Sequence, residues 1–218
     1  MPKPKPRDRI VEALLALAAE RPFEEVTLPA LAERAGITLA ALRESYDGRV
    51  AVLAEHIRQV DERVLAEVDP ALAGEPARER LFDVLCARFE AHAPHRKAIR
   101  SIVRAARRDP LLALELNRIV TISMGWMLAA AGISSTGGRG LFRAQGLALV
   151  WARVMRVWLD DEDAGLARTM AVLDKRLREA ERMVVRLECL ERIVCRRRSA
   201  KPARDASVDT DLAEGHPT

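Results

Sequence analysis

The residues best placed for chemistry in this chain are hydrogen-bond donors, not nucleophiles or paired acids. Thr27, Thr38, Arg43, Ser45 and Arg49 all fall within TLPALAERAGITLAALRESYDGR, positions 27–49. Hydroxyl and guanidinium groups on one short helix and its flanks are what contacts to phosphates and base edges of double-stranded DNA require. Leu39 and Ala40 open the same helix. Glu44 either faces solvent or accepts from a cytosine amino group.

Covalent chemistry finds little support. Asp160, Asp161, Glu162 and Asp163 are clustered acids, but a polar turn between helices explains them better than an acid–base pair. His92 and His95 flank Ala93-Pro94 with no Cys or carboxylate at ligand spacing, a poor zinc site. Cys86, Cys189 and Cys195 show no CxxC spacing. An odd number of sparse thiols suits a reducing cytoplasm, where each reads as a small buried hydrophobe. There is no Gly-rich phosphate loop after a strand, no nucleophile elbow and no HExxH. The expectation is a non-enzyme without metal or cofactor.

The donors need two helices to hold them. Thr27 reads as an N-cap with Pro29 in the first turn. Leu28, Leu31, Ala32 and Ala35 keep helical spacing until Gly36, which suits a left-handed cap. Thr38 caps the next helix, carrying Leu39, Leu42 and Tyr46 on its apolar side. This is a helix-turn-helix, whose second helix is normally the one laid in the major groove; an ordinary helical corner is the alternative. Residues 1–60 balance nine Lys/Arg against nine Asp/Glu, which counts against a DNA reader, since such domains usually carry a positive patch.

The 218 residues carry a net charge of +4, with 49% hydrophobic and 4% aromatic residues. That composition suits an all-α globular chain of about nine helices. MPKPKP is an extended basic arm, able to touch phosphate or simply solvated. Helices are expected over 8–20, 28–35, 39–46, 49–68, 77–93, 94–106 and 111–131. GISSTGGRG, 132–140, reads as a flexible loop. No apolar stretch is expected to reach the ~20 residues of a membrane span, and no signal peptide is evident. Arg96, Lys97, Arg100, Arg104, Arg107 and Arg108 form a basic run, either an anion-binding patch or a solvated face.

Two long helices close the ordered chain. Leu141, Ala144, Ala148, Trp151, Met155 and Trp158 keep a three-four rhythm, as do Met170, Leu173, Leu177, Ala180, Val184, Leu187, Leu190 and Val194. A continuous apolar seam must be buried. Part can meet the chain's own core; the rest suits a second copy packed as a four-helix bundle. The expected homodimer residues are Ala148, Trp158, Leu173, Leu177, Ala180, Val184 and Leu187. From Arg196 the composition is that of a disordered tail.

PFEEVTL, LAERAGIT and LAALRESYDGR, leading into a long connecting helix, resemble the N-terminal domain of TetR-family transcriptional regulators. In that family's usual recognition stretch Thr38 stands at the Ser position, Ala40 at a Gly and Ala41 at a Thr. Arg43 stands at the common Tyr, Ser45 at the His, Tyr46 at the core Phe, and Arg49 at a phosphate-touching Lys. The resemblance implies a DNA-binding head over 1–48, a ligand-binding and dimerisation domain over 49–195, and a tail over 196–218. It implies a cytoplasmic, ligand-responsive regulator, in the simplest case a repressor, on a near-palindromic operator. Its effector pocket would lie among the middle helices, which offer Phe82, Phe89, Met124, Trp126, Met127, Trp151 and Met155. Such a lining suits a small apolar or aromatic effector, with His92, His95, Asn117, Ser123 and Gln145 as polar fixtures. VWLDDEDAGLARTMAVLDKRLREAE also resembles a helix pair of a TetR-like protein of ubiquinone biosynthesis, a lipid-binding partner of an enzyme. A protein of that kind, without DNA binding, is the alternative function.

Overall fold

A computed structural model describes residues 6–163 and 165–199. Among the described residues the chain is all-α, with nine α-helices and no strand. They are α1 (Pro6–Glu20), α2 (Leu28–Ala35), α3 (Leu39–Ser45), α4 (Arg49–Ala66), α5 (Ala77–His92), α6 (Arg96–Ala106), α7 (Pro110–Ala130), α8 (Gly137–Asp160) and α9 (Ala167–Ser199). Short 3-10 turns precede α2, α5 and α6. Residues 1–5 of the basic arm and most of the expected tail lie outside the described residues, and Pro6, expected in the arm, opens α1.

The local chemistry at the corner follows the sequence. Thr27 Oγ1 accepts from the Ala30 amide at 3.3 Å, and Thr38 Oγ1 accepts from the Ala41 amide at 3.2 Å. Gly36 adopts φ 66°, a left-handed cap that a side chain would strain. The Ile37 amide then reaches back to the Ala32 carbonyl at 3.0 Å, closing the helix end and setting the turn. Arg34 grips Glu20 through both nitrogens at 2.8 and 2.6 Å, tying α2 to α1.

Two cores result. The head core joins Leu14, Leu17, Phe23, Leu31 and Leu42 to Val52 and Leu53 of α4 and to Ala98, Ile102 and Ala105 of α6. Three short helices bury too little to stand alone, and α4 and α6 complete them. The second core joins α4, α5, α7, α8 and the first turns of α9 around Phe89, Met124, Met127, Trp151 and Trp158. The chain to Ala180 is one compact unit; from Glu181 α9 continues as a separate one, in which Met183 is exposed.

Several expectations are corrected. α8 begins at Gly137, inside the expected loop. Gly140 makes that start possible: a Cβ there would meet the Ser135 backbone at 2.1 Å, so the tight approach of Ser135 excludes any side chain. α7, at 21 residues, is long and apolar enough to cross a membrane by length and composition. Its packing is that of a core helix, against α4, α5, α6 and α8. Trp158, Leu173, Leu177 and Ala148 are not free for a dimer seam, since all four are buried within the chain's own core. Ala180 and Val184 are half-buried, and the Leu187 side chain lies outside the described residues. Outside the head, the large exposed apolar side chains among the described residues lie mostly on α7 (Leu111, Leu114, Ile122, Trp126) and α8 (Leu141, Phe142, Leu149), with Met183 on α9.

Asp160–Asp163 acts as a helix junction. Asp161 accepts from the Thr169 amide at 2.9 Å and its hydroxyl at 2.6 Å, bonds that hold its carboxyl below the usual range. Asp163 accepts from the Ala167 amide at 3.0 Å. Two members of the basic run are structural. Arg96 donates to the Trp158 carbonyl, and Arg100 to the Leu159 carbonyl and to Asp160, so cations of α6 cap the C-terminus of α8.

Candidate nucleic-acid interface and ligand cavity

The corner presents α3 outward. Thr27, Thr38, Leu39, Ala40, Arg43, Glu44 and Ser45 are all exposed, while Leu42 anchors the helix in the head core. Both threonine hydroxyls already accept at the helix starts, leaving each hydroxyl proton free to donate outward. Arg43 pairs with Asp47 at 2.6 Å, but the two side chains are 72% and 89% exposed. Such a pair contributes little and yields readily to a phosphate or a guanine edge. Leu39, half exposed, and Ala40 form with Leu28 an apolar hollow of a kind that suits a thymine methyl.

Two of the expected contact residues are differently employed. Arg49 turns into the head: its Nη1 donates to the Phe23 carbonyl at 2.6 Å and the Val26 carbonyl at 2.7 Å, with the guanidinium 4.9 Å above the Phe23 ring. It staples the turn before α2 instead of reaching for a phosphate. Ser45 Oγ donates to the Ala41 carbonyl at 3.1 Å, within its own helix.

Behind the head lies a cavity of ≈ 330 Å³, walled by α4, α5, α6, α7 and α8. Its walls are apolar: Ile57, Ile99, Val103, Val120, Ala148 and Met155. Leu53 and Ile102 line it and also belong to the head core. Of the expected pocket residues, Trp151 and Met155 line the cavity. Phe89 lies behind, stacked on Trp151 at 4.3 Å. Met124 and Met127 are fully buried core, Phe82 packs half-buried against that core, and Trp126 is 57% exposed. These four and Phe89 do not line the cavity; their spacing marked burial, and Trp126 falls on the outer face of α7.

The polar end of the cavity was only partly foreseen. His92 and Asn117 line it as expected, but His56 and Arg88 do too. Arg88 is 1% exposed and pairs with buried Asp61, which also accepts from Ser123 Oγ at 2.8 Å. The Arg88 guanidinium lies 5.2 Å over the Trp151 ring. Burial and nearby cations push His56 down to about 4 and hold His92 well below the ordinary histidine value. The two rings lie 5.6 Å apart, with His95 edge-on to His56 at 5.3 Å. The missed signal was phase: Arg88 keeps the buried rhythm of Leu81, Leu85 and Phe89, and Asp61 sits beside Val60 and Val64. A charged residue inside a core stripe is a buried one, and it needs a partner.

Head and cavity are tied by α6. Ser101 Oγ accepts from the Phe23 amide at 2.9 Å and donates to the Arg21 carbonyl at 3.2 Å. Arg108 reaches Glu24 at 3.4 Å. Among the described residues no cluster of His, Cys, Asp and Glu is arranged to hold a metal ion. Burial pushes the Cys86 thiol up to about 12, which leaves it unreactive.

No family model matches the chain, and no curated protein is detectably similar in sequence. Solved structures do match its fold. A TetR transcriptional regulator from Nitrosomonas europaea superposes with a TM-score of 0.64 at 22% identity, covering 82% of this chain and 99% of that one. A TetR transcriptional regulator from Rhodococcus sp. RHA1 gives 0.58 at 18% identity, covering 81% and 96%. The fatty acid degradation regulator FadR from Bacillus halodurans gives 0.55 at 16% identity, covering 81% and 97%. The chain therefore has the all-helical TetR fold.

Proposed function

We propose that this protein is a ligand-responsive DNA-binding regulator, acting as a dimeric repressor on a near-palindromic operator. One observation carries the reading. α4 and α6 each give one side to the core beneath the helix-turn-helix and the other side to the cavity, so nothing flexible separates the two. A ligand that fits the cavity better in one setting of α6 than in another shifts the head with it; equal affinity for both settings would shift nothing. The regulators with matching folds support the DNA reading by analogy.

On the DNA, Arg43 and the apolar Leu39–Ala40 edge would read bases, and Thr27 and Thr38 would position the head on phosphates. Two heads require two copies. The stripe Leu111, Leu114, Ile122 and Trp126, with Phe142 and Leu149 of α8, offers exposed apolar surface for the second copy.

The test is a gel shift of a duplex from the protein's own promoter region across a salt series. Binding that weakens as salt rises, and a loss of about tenfold or more for Arg43→Ala with an unchanged melting temperature, is the expected result. The rival reading, a lipid-binding or enzyme-assisting protein without DNA binding, is favoured by a single feature. Arg43 is paired with Asp47, and Glu44 is exposed, on a surface from which Arg49 is withdrawn. No duplex retained at low salt, together with lipid in the purified protein, would establish the rival.

A further inference from the structure

We propose that the cavity takes an apolar monocarboxylate head-first, its carboxylate seated on the buried floor against Arg88, His56 and His92. This rests on the reading of the cavity as a ligand site and names the class of ligand.

Depth is the first argument. His56, Arg88 and His92 are 7%, 1% and 5% exposed, whereas Arg107 and Arg156, which also line the cavity, are exposed. The three buried groups therefore mark the floor and the two exposed arginines the mouth.

The second argument is unmet hydrogen bonding. Arg88 Nε, His56 Nε2 and His92 Nδ1 are buried atoms with no hydrogen-bond partner. Buried polar atoms are ordinarily paired. All three belong to residues that line the buried end of the cavity, and a small side-chain adjustment offers them to a compact polar group with several acceptor sites; a carboxylate has about four lone-pair sites on two oxygens. Asp61 does not fill this role. It does not line the cavity, and it meets Arg88 at Nη1, leaving Nε unclaimed.

Sign is the third. The lining includes Arg88, Arg107 and Arg156 and neither Asp nor Glu. An amine would enter against three guanidinium groups; an acid is drawn past the mouth and held at the floor. Between floor and mouth the walls are apolar apart from Asn117, whose side-chain amide is already paired with Gln145, so the body of the ligand is an alkyl chain or a single small ring system. The volume of ≈ 330 Å³ is at the lower end for ligand cavities, which suits a medium-length acid.

The experiment is calorimetric titration of the full chain at pH 7.5, without DNA, using decanoate, 1-decanol and decylamine. Decanoate is expected to bind at least tenfold tighter than decanol, with decylamine weakest. Arg88 is a poor target, because its removal strands Asp61 in the core; His56→Gln and His92→Leu are used instead, with helicity and melting checked by circular dichroism. Each is expected to weaken decanoate about tenfold and to leave decanol unchanged, while Arg107→Ala and Arg156→Ala change decanoate less than threefold. Decanol binding as tightly as decanoate overturns the carboxylate assignment and leaves the cavity reading standing. Loss of decanoate through the two arginine variants, with no effect of the histidine variants, overturns the head-first placement. Failure of all three probes to bind overturns the proposal together with the ligand-responsive part of the proposed function. A failed gel shift would bear on neither outcome.

Discussion

At the scale of single residues, the buried pair Arg88–Asp61 carries the largest stake. Both lie in the core, and Ser123 completes the acid's hydrogen bonding. Replacing one partner leaves the other charged and unpaired in low dielectric. Arg88→Met is therefore expected to lower the unfolding free energy by about 3–5 kcal/mol in a urea titration, and the double variant with Asp61→Leu to regain part of it. The histidines set a pH dependence. His56 titrates at about 4 in the folded chain against an ordinary 6.5, and His92 is lowered too. The unfolded chain then holds more protons between these values, so folding weakens as pH falls through that window. Stability measured by urea at pH 7, 6 and 5 is expected to drop by up to about 1.4 kcal/mol per pH unit for each ring. His56→Gln should flatten the slope. His92 and Ser123 stand out in the sequence as polar residues of the middle helices, but their grouping with His56, Asp61 and Arg88 does not, because these residues sit on three helices and meet only through tertiary packing.

At the scale of elements, the short-range chemistry was readable and the long-range chemistry was not. The caps Thr27, Gly36 and Thr38 act within three or four residues of themselves, so their types announce the corner directly. α6 is the contrary case. Its arginines suggested a charged outer face, yet Arg96 and Arg100 cap a helix some sixty residues away, and Ala98, Ile102 and Ala105 complete the head. The connection between head and cavity is thus made by α6 as well as by α4. Half-buried Ser101 makes one such link, joining α6 to Phe23 and Arg21. Ser101→Ala is expected to cost about 1 kcal/mol in stability. It should also reduce the effect of bound ligand on a gel shift while leaving ligand affinity within threefold. Equal coupling in variant and parent would place the transmission elsewhere.

At the scale of the whole molecule, the question is what covers the outer faces of α7 and α8. The three-four rhythm of α8 and α9 announced a seam, but periodicity says only that a face is buried, not by whom. Trp158, Leu173 and Leu177 are taken by the chain itself, and Ile122, Trp126, Phe142 and Leu149 are left outside. Light scattering is expected to give twice the mass of one chain, and Trp126→Glu with Leu149→Glu to give a single chain of unchanged helicity. A parent that is already a single chain would remove the dimer and the palindrome together. Leu53 and Ile102 belong at once to the cavity wall and to the head. On the proposed function, a lineage adapting to a new ligand through either position would disturb the packing of the head in the same step. Such residues should drift slowly, and diversification should concentrate at Val120 and Met155, which line the cavity but take no part in the core of the head.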